Sequence, residues 1–180
     1  MRLLLSVALF AGVVTSAAIA SERSGGPRLR PQDPRVSLAL QEGMARSETL
    51  RALVNRIDAS NVIVYVAVSP TMRASLSGAL TWMTRAGEFR YLRASISVEQ
   101  TFDQMIASVA HELQHAVEVI EDESVVDEKS LTALYKRIGQ PSRAAGPLGW
   151  ETMAAQRAGS QVRRELAVPT TTIARASESR

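Results

Sequence analysis

The sequence predicts a single α+β domain in which a small three-stranded, mainly antiparallel sheet packs on one long helix, with further helices before and after it. Three observations predict it. Between residues 61 and 98, three stretches carry the apolar run or the period of two that marks strands. On either side, apolar residues recur at three and four, the spacing of a helix face. The 180 residues, 46% hydrophobic and 22% charged, suffice for one buried core.

The first element is expected to be removed. Met1 and Arg2 give a positive start, residues 3–14 are almost wholly apolar, and Ala18, Ile19 and Ala20 set a small-x-small pattern before Ser21. This predicts a secretory signal over residues 1–20. Its apolar run falls short of the roughly 20 residues of a membrane span, so an exported chain without a stable anchor is expected. Residues 21–36, rich in Gly, Pro, Ser and Arg, read as a flexible lead-in, residues 37–168 as the domain and residues 169–180 as a flexible tail.

Ser47 can cap a first helix with Leu50, Leu53, Val54 and Ile57 on one face. Residues 61–68 (NVIVYVAV) predict a buried strand that Ser69 and Pro70 close. Met72, Ala74, Leu76, Gly78, Leu80 and Trp82 alternate with mostly polar neighbours and predict a half-buried second strand. A turn at residues 85–88, with Gly87, leads to a third strand over residues 89–98, with Leu92, Ala94, Ile96 and Val98 on one face. The remainder reads as helical: a long helix around residues 102–120, one opened by Ser124 or Asp127 and stopped by Gly139, a loop over residues 140–148, and a last helix after Gly149.

Composition excludes several chemistries. With no cysteine there can be no disulfide, thiol nucleophile or thiolate metal site, so any metal must be held by His, Asp or Glu. The net charge of +3 is spread along the chain and aromatics make up 4%, so no nucleic-acid footprint is visible.

Residues 111–115 read His-Glu-Leu-Gln-His, the HExxH pattern, and they contain both histidines of the chain. Shuffling two histidines and thirteen glutamates over this length yields the pattern about once in a thousand times. On a helix, residues four apart share a face, so His111 and His115 can reach one ion while Glu112, at the edge of that face, takes a proton from water there. Phe102, Met105, Ile106, Val109, Leu113, Ala116, Val117 and Ile120 form an apolar stripe. His111 and His115 fall nearly opposite it with Gln104, Ser108 and Glu118, which predicts that the pair lies on the water-facing side.

A catalytic zinc usually has three protein ligands. Glu118 sits about 10 Å along an unbroken helix from His111, too far to share an ion with it. The run Glu118, Glu121, Asp122 and Glu123 is expected to be a solvated helix end or loop. Glu151 is the better candidate: on a helical wheel it lines up with Ala155, Ala158 and Val162, a carboxylate on a stripe of small residues that allows close approach to the motif helix. Glu128 is the alternative ligand.

These residues make the chain resemble the zincin metallopeptidases, and within them the gluzincin branch to which thermolysin belongs. The resemblance spans roughly residues 61–166, with HExxH its one specific motif. It implies a zincin-like fold, His111 and His115 as zinc ligands, Glu112 as general base and Glu151, on a later helix, as third ligand. Two features depart from the family: Ala155 stands where many gluzincins carry an Asp that orients the first histidine, and no third His is present to steady an oxyanion. Tyr135, Tyr65, Tyr91 or an Arg such as Arg157 would have to serve.

The expectation is therefore an exported, minimal Zn2+-dependent metallopeptidase-like hydrolase acting on a peptide or protein substrate. That substrate would extend along an edge strand, with residues 89–98 the first choice. The alternative is a non-catalytic exported metal-binding module whose ion only ties helices together.

Overall fold

The structure, a computed structural model, describes residues 26–142 and 149–168. The expected signal at residues 1–20, the tail at 169–180 and residues 143–148 of the expected loop lie outside the described residues. In chain order the elements are β1 (Leu29–Pro31), α1 (Pro34–Arg46), α2 (Glu48–Asp58), β2 (Val62–Ser69), β3 (Gly78–Ala86), β4 (Phe89–Ser97), α3 (Phe102–Glu121), α4 (Glu128–Ile138), β5 (Gln140–Pro141), β6 (Trp150–Glu151) and α5 (Met153–Leu166).

The sheet departs from the sequence expectation. Instead of a three-stranded antiparallel meander there is a four-stranded mixed sheet in the order β1-β2-β4-β3, with a separate two-stranded pairing of β5 and β6. Within the four-stranded sheet β2 runs parallel to β1 and to β4, and β3 and β4 are antiparallel, as are β5 and β6 in theirs. The fold is thus mixed α/β with a mostly parallel sheet. Burial explains the order: Val62, Ile63, Val64 and Val66 of β2 and Leu92, Ala94 and Ile96 of β4 are all buried, so these strands take the interior. Strand β3 is mostly half-buried or exposed, and its place is the edge. Its first half is also shorter than the alternation suggests, since residues 70–77 form turns. Gly87, with φ of 58°, makes the tight return from β3 to β4.

Two elements arise within or beside the stretch read as lead-in. Strand β1 supplies an outer parallel strand, and α1 starts at Asp33, whose side chain accepts from the Arg35 N–H at 2.8 Å while Pro34 occupies the first turn. Helix α2 follows the sequence closely: Ser47 caps it, and Leu50, Leu53, Val54 and Ile57 are buried.

The core lies between the sheet face bearing Val62, Val64, Val66, Leu92, Ala94 and Ile96 and the helices α1, α2 and α3. On the opposite face Tyr65 and Ala67 are half-buried and Arg93 is exposed. Helix α5 packs on α3 and makes no comparable contact with the sheet, so α3 runs between the sheet and α5. Buried Arg90 ties β4 to the end of α3, donating to the carbonyls of Val119 at 2.7 Å and Asp122 at 2.8 Å and to Asn61 Oδ1 at 2.8 Å. No described helix is long and apolar enough to cross a membrane.

Candidate metal centre

Helix α3 opens with a capping box in which Thr101 accepts from the Gln104 N–H and Gln104 Oε1 accepts from the Thr101 N–H at 2.9 Å. From that start the turn of the helix carries His111 and His115 to the side covered by α5. This corrects the expectation of a water-facing pair: His115 is 6% exposed and Glu112 3% exposed. The polar side of α3 is polar because it holds a buried cluster. Ala155, Ala158 and Gly159 of α5 are buried against it. At Gly159 a Cβ would lie 3.2 Å from the Ala107 carbonyl and 3.4 Å from His111 Cβ, so a small residue is what lets the two helices close up.

Glu151 reaches the pair, but not from a helix. It ends the short strand β6, whose partner Gln140 follows α4 directly, and the next residue, Thr152, caps α5. The helical-wheel placement of Glu151 is therefore replaced by a strand-to-helix junction. Its carboxylate divides between the two rings: Oε2 lies 3.2 Å from His111 Nε2 and Oε1 3.6 Å from His115 Nε2. Ligand atoms of a tetrahedral ion with bonds of 2.0–2.1 Å stand about 3.3 Å apart, close to each of these two separations. His111, His115 and Glu151 form a group that can hold a metal ion, their donor atoms all within 4.8 Å of one another. Glu128 stands outside that group, on the first turn of α4 at the cavity wall.

Around the group lies a network that the sequence reading missed. His115 Nδ1 lies 2.8 Å from Glu118 Oε2, and Glu118 Oε1 accepts from Thr152 Oγ1 at 2.5 Å. Glu118 is thus no part of a solvated helix end; it is 6% exposed. An ionised carboxylate only accepts, so a neutral His115 keeps its proton on Nδ1 and leaves the Nε2 lone pair facing Glu151. The available clue was the i+3 spacing from His115, which puts Glu118 on the same side of α3 as the motif.

Electrostatics follow from these contacts. Burial disfavours the His115 imidazolium, but the bonds to Glu118 and Glu151 outweigh it and lift His115 from 6.5 to about 10. Burial likewise opposes the Glu151 carboxylate, yet His111 and His115 hold it from 4.5 down to about 2. The two shifts share one interaction and do not add. Burial pushes the Glu112 carboxyl up, against the pull of His115 and His111.

The three residues and Glu112 line a cavity of about 550 Å³, walled on one side by residues 75–82 and on the other by Leu131, Thr132, Tyr135 and Trp150. Glu112 rests against Gly78 of β3, where a Cβ would fall 2.4 Å from Oε1. The strand expected to receive a substrate, β4, is interior to the sheet, and the edge beside the cavity is β3. Among the expected oxyanion residues, Tyr65, Tyr91 and Arg157 do not line the cavity. Tyr135 does, with its ring edge-on to His115, but its hydroxyl donates to the His115 carbonyl at 3.1 Å. Comparison with known protein families, with curated proteins and with solved structures finds no match.

Proposed function

We propose that the protein is an exported, zinc-dependent hydrolase of peptide bonds, built as a minimal zincin on His111, His115, Glu151 and Glu112. The observation that carries the reading is the convergence of Glu151, far along the chain, on both motif histidines with spacings of 3.2 Å and 3.6 Å. Two imidazoles and one carboxylate are a donor set suited to zinc, and all three border the cavity, as a catalytic site with an open position requires. Bound there, zinc would polarise a carbonyl and bring the ionisation of water toward neutral pH.

The chain's own groups supply the rest. Glu112 is the base: close to the group, buried and raised above the usual carboxylate range, it gains a proton more readily than an exposed glutamate. The open edge of β3 offers main-chain groups to an extended peptide running past the ligands. Export rests on the signal pattern of residues 1–20.

The engagement of the Tyr135 hydroxyl by the His115 carbonyl favours one rival, an exported module in which the ion ties β6 and α5 to α3 without turnover. Glu112 separates the two. Zinc content and hydrolysis of a quenched fluorescent peptide pool are measured on the wild type, His111→Ala, Glu151→Ala and Glu112→Gln. The hydrolase reading expects about one zinc per wild-type chain, loss of zinc in the first two variants, and Glu112→Gln loaded with zinc yet slower by at least about 100-fold. Zinc retained in Glu151→Ala would refute the ligand set, and a zinc-loaded but inert wild type would leave the structural module.

A further inference from the structure

We propose that Glu118 is a positioning residue that sets two of the three ligands at once, His115 through its ring and Glu151 through Thr152. The inference rests on the metal-site reading above and concerns how the site keeps its shape. Glu118 is buried between α3 and α5, where an ionised carboxylate is costly unless both oxygens are bonded. Both are. Oε2 meets His115 Nδ1 at 2.8 Å, and Oε1 accepts from Thr152 Oγ1 at 2.5 Å.

The second bond makes the arrangement more than an orienting contact to one ring. Thr152 Oγ1 accepts from the Ala155 N–H at 3.1 Å as the cap of α5, so its own hydrogen is free to point at Glu118. Thr152 is also the neighbour of Glu151 in the chain, and its N–H donates to Glu151 Oε1 at 2.9 Å. One carboxylate therefore connects the ring of His115, on α3, to the backbone that presents Glu151, on β6. Glu118 cannot itself take the ion that the other three share, because it faces Nδ1 of His115 while Glu151 faces Nε2. Packing alone would be served as well by an apolar side chain of similar size, without the cost of burying a charge. What the carboxylate adds is a fixed tautomer, a fixed ring angle and a fixed distance between two elements, each of which raises metal affinity.

The test uses the full chain stripped of metal with a chelator. Zinc affinity is measured by competition with a chromophoric chelator, the coordination geometry by the visible bands of the Co2+ form, and the fold by melting of the metal-free protein. In Glu118→Ala zinc affinity should fall about 10- to 100-fold and the cobalt bands should shift. Glu118→Gln keeps an acceptor for His115 and a polar group for Thr152, and should recover most of that loss. Thr152→Val should weaken zinc binding and Thr152→Ser restore it, a pair that carries the test even where Glu118→Ala does not fold. A merely structural Glu118 would lower the melting temperature and leave affinity and cobalt bands unchanged. Folded Glu118→Ala and Thr152→Val binding zinc within about twofold of wild type would overturn the proposal alone. A wild type that takes up no zinc would bring down the metal-site reading and this proposal together.

Discussion

Gly78→Ala is a one-carbon change with a large consequence for the proposed base. An alanine Cβ at this position would lie 2.4 Å from Glu112 Oε1 and 2.9 Å from both Cδ and Cγ, whereas real Cβ contacts stay beyond 3.0 Å. The side chain must retreat by roughly 0.6–1 Å, a misplacement that costs on the order of 100-fold in rate when it falls on a group that handles the proton. Nothing comparable threatens the fold, because Gly78 opens β3 outside the positive-φ region that favours glycine and the atoms displaced belong to a flexible side chain. The three atoms nearest that Cβ all belong to Glu112, which is outside the group His111, His115 and Glu151, so zinc should stay bound. The assay is kcat/KM on the peptide pool that the wild type cleaves, beside zinc content and the melting curve. Full activity in a zinc-loaded Gly78→Ala would refute the placement of Glu112 as base against β3. A variant that lost its zinc would show instead that β3 holds the ligands.

Three further outcomes test the electrostatics and the frame. The His115 shift means that, at pH 7, zinc should displace a proton from the site, which calorimetry in buffers of different ionisation enthalpy reads as about one proton released per ion. In the metal-free protein the folded value of about 10 lies above the unfolded 6.5, so the stabilisation is complete below pH 6.5 and drains away as pH rises toward 10. Melting temperatures of chelator-treated protein should fall across that window, and a flat profile would contradict the His115 contacts. Arg90→Met removes the three bonds that close the end of α3, a helix with no basic residue of its own in the last turn, and should cost about 2–4 kcal/mol in urea unfolding. A cost under about 0.5 kcal/mol would make those bonds incidental.

The metal group was legible in the sequence because its parts are local or chemically singular. Spacing alone aligns His111 and His115, and a carboxylate amid Ala154, Ala155 and Ala158 stands out wherever it sits. The arrival of Glu151 from a strand rather than a helix was hidden, since two residues of pairing between β5 and β6 leave no period to read. Sheet order was hidden for another reason. Consecutive strands suggest a meander, and only the continuous apolar run of β2 hints that it needs interior neighbours on both sides, which β1 and β4 provide. Helix α1 did have a local mark in Asp33 followed by Pro34, obscured by the Gly- and Pro-rich stretch before it. Glu118 shows the limit of reading charge as solvation: a face rich in polar residues is wet only if no later element covers it, and α5 lies more than thirty residues away in the chain.

Helix α3 has protein on both broad sides, so the centre is complete only when the last elements of the chain are in place. Without residues 150–166 Glu118 has no Thr152 hydroxyl to accept from, and the histidine pair has no Glu151 beside it. Synthesis from the N-terminus delivers the sheet and the histidines first, so a chain truncated before residue 150 would carry the whole motif and yet have no more hold on zinc than a loose histidine pair.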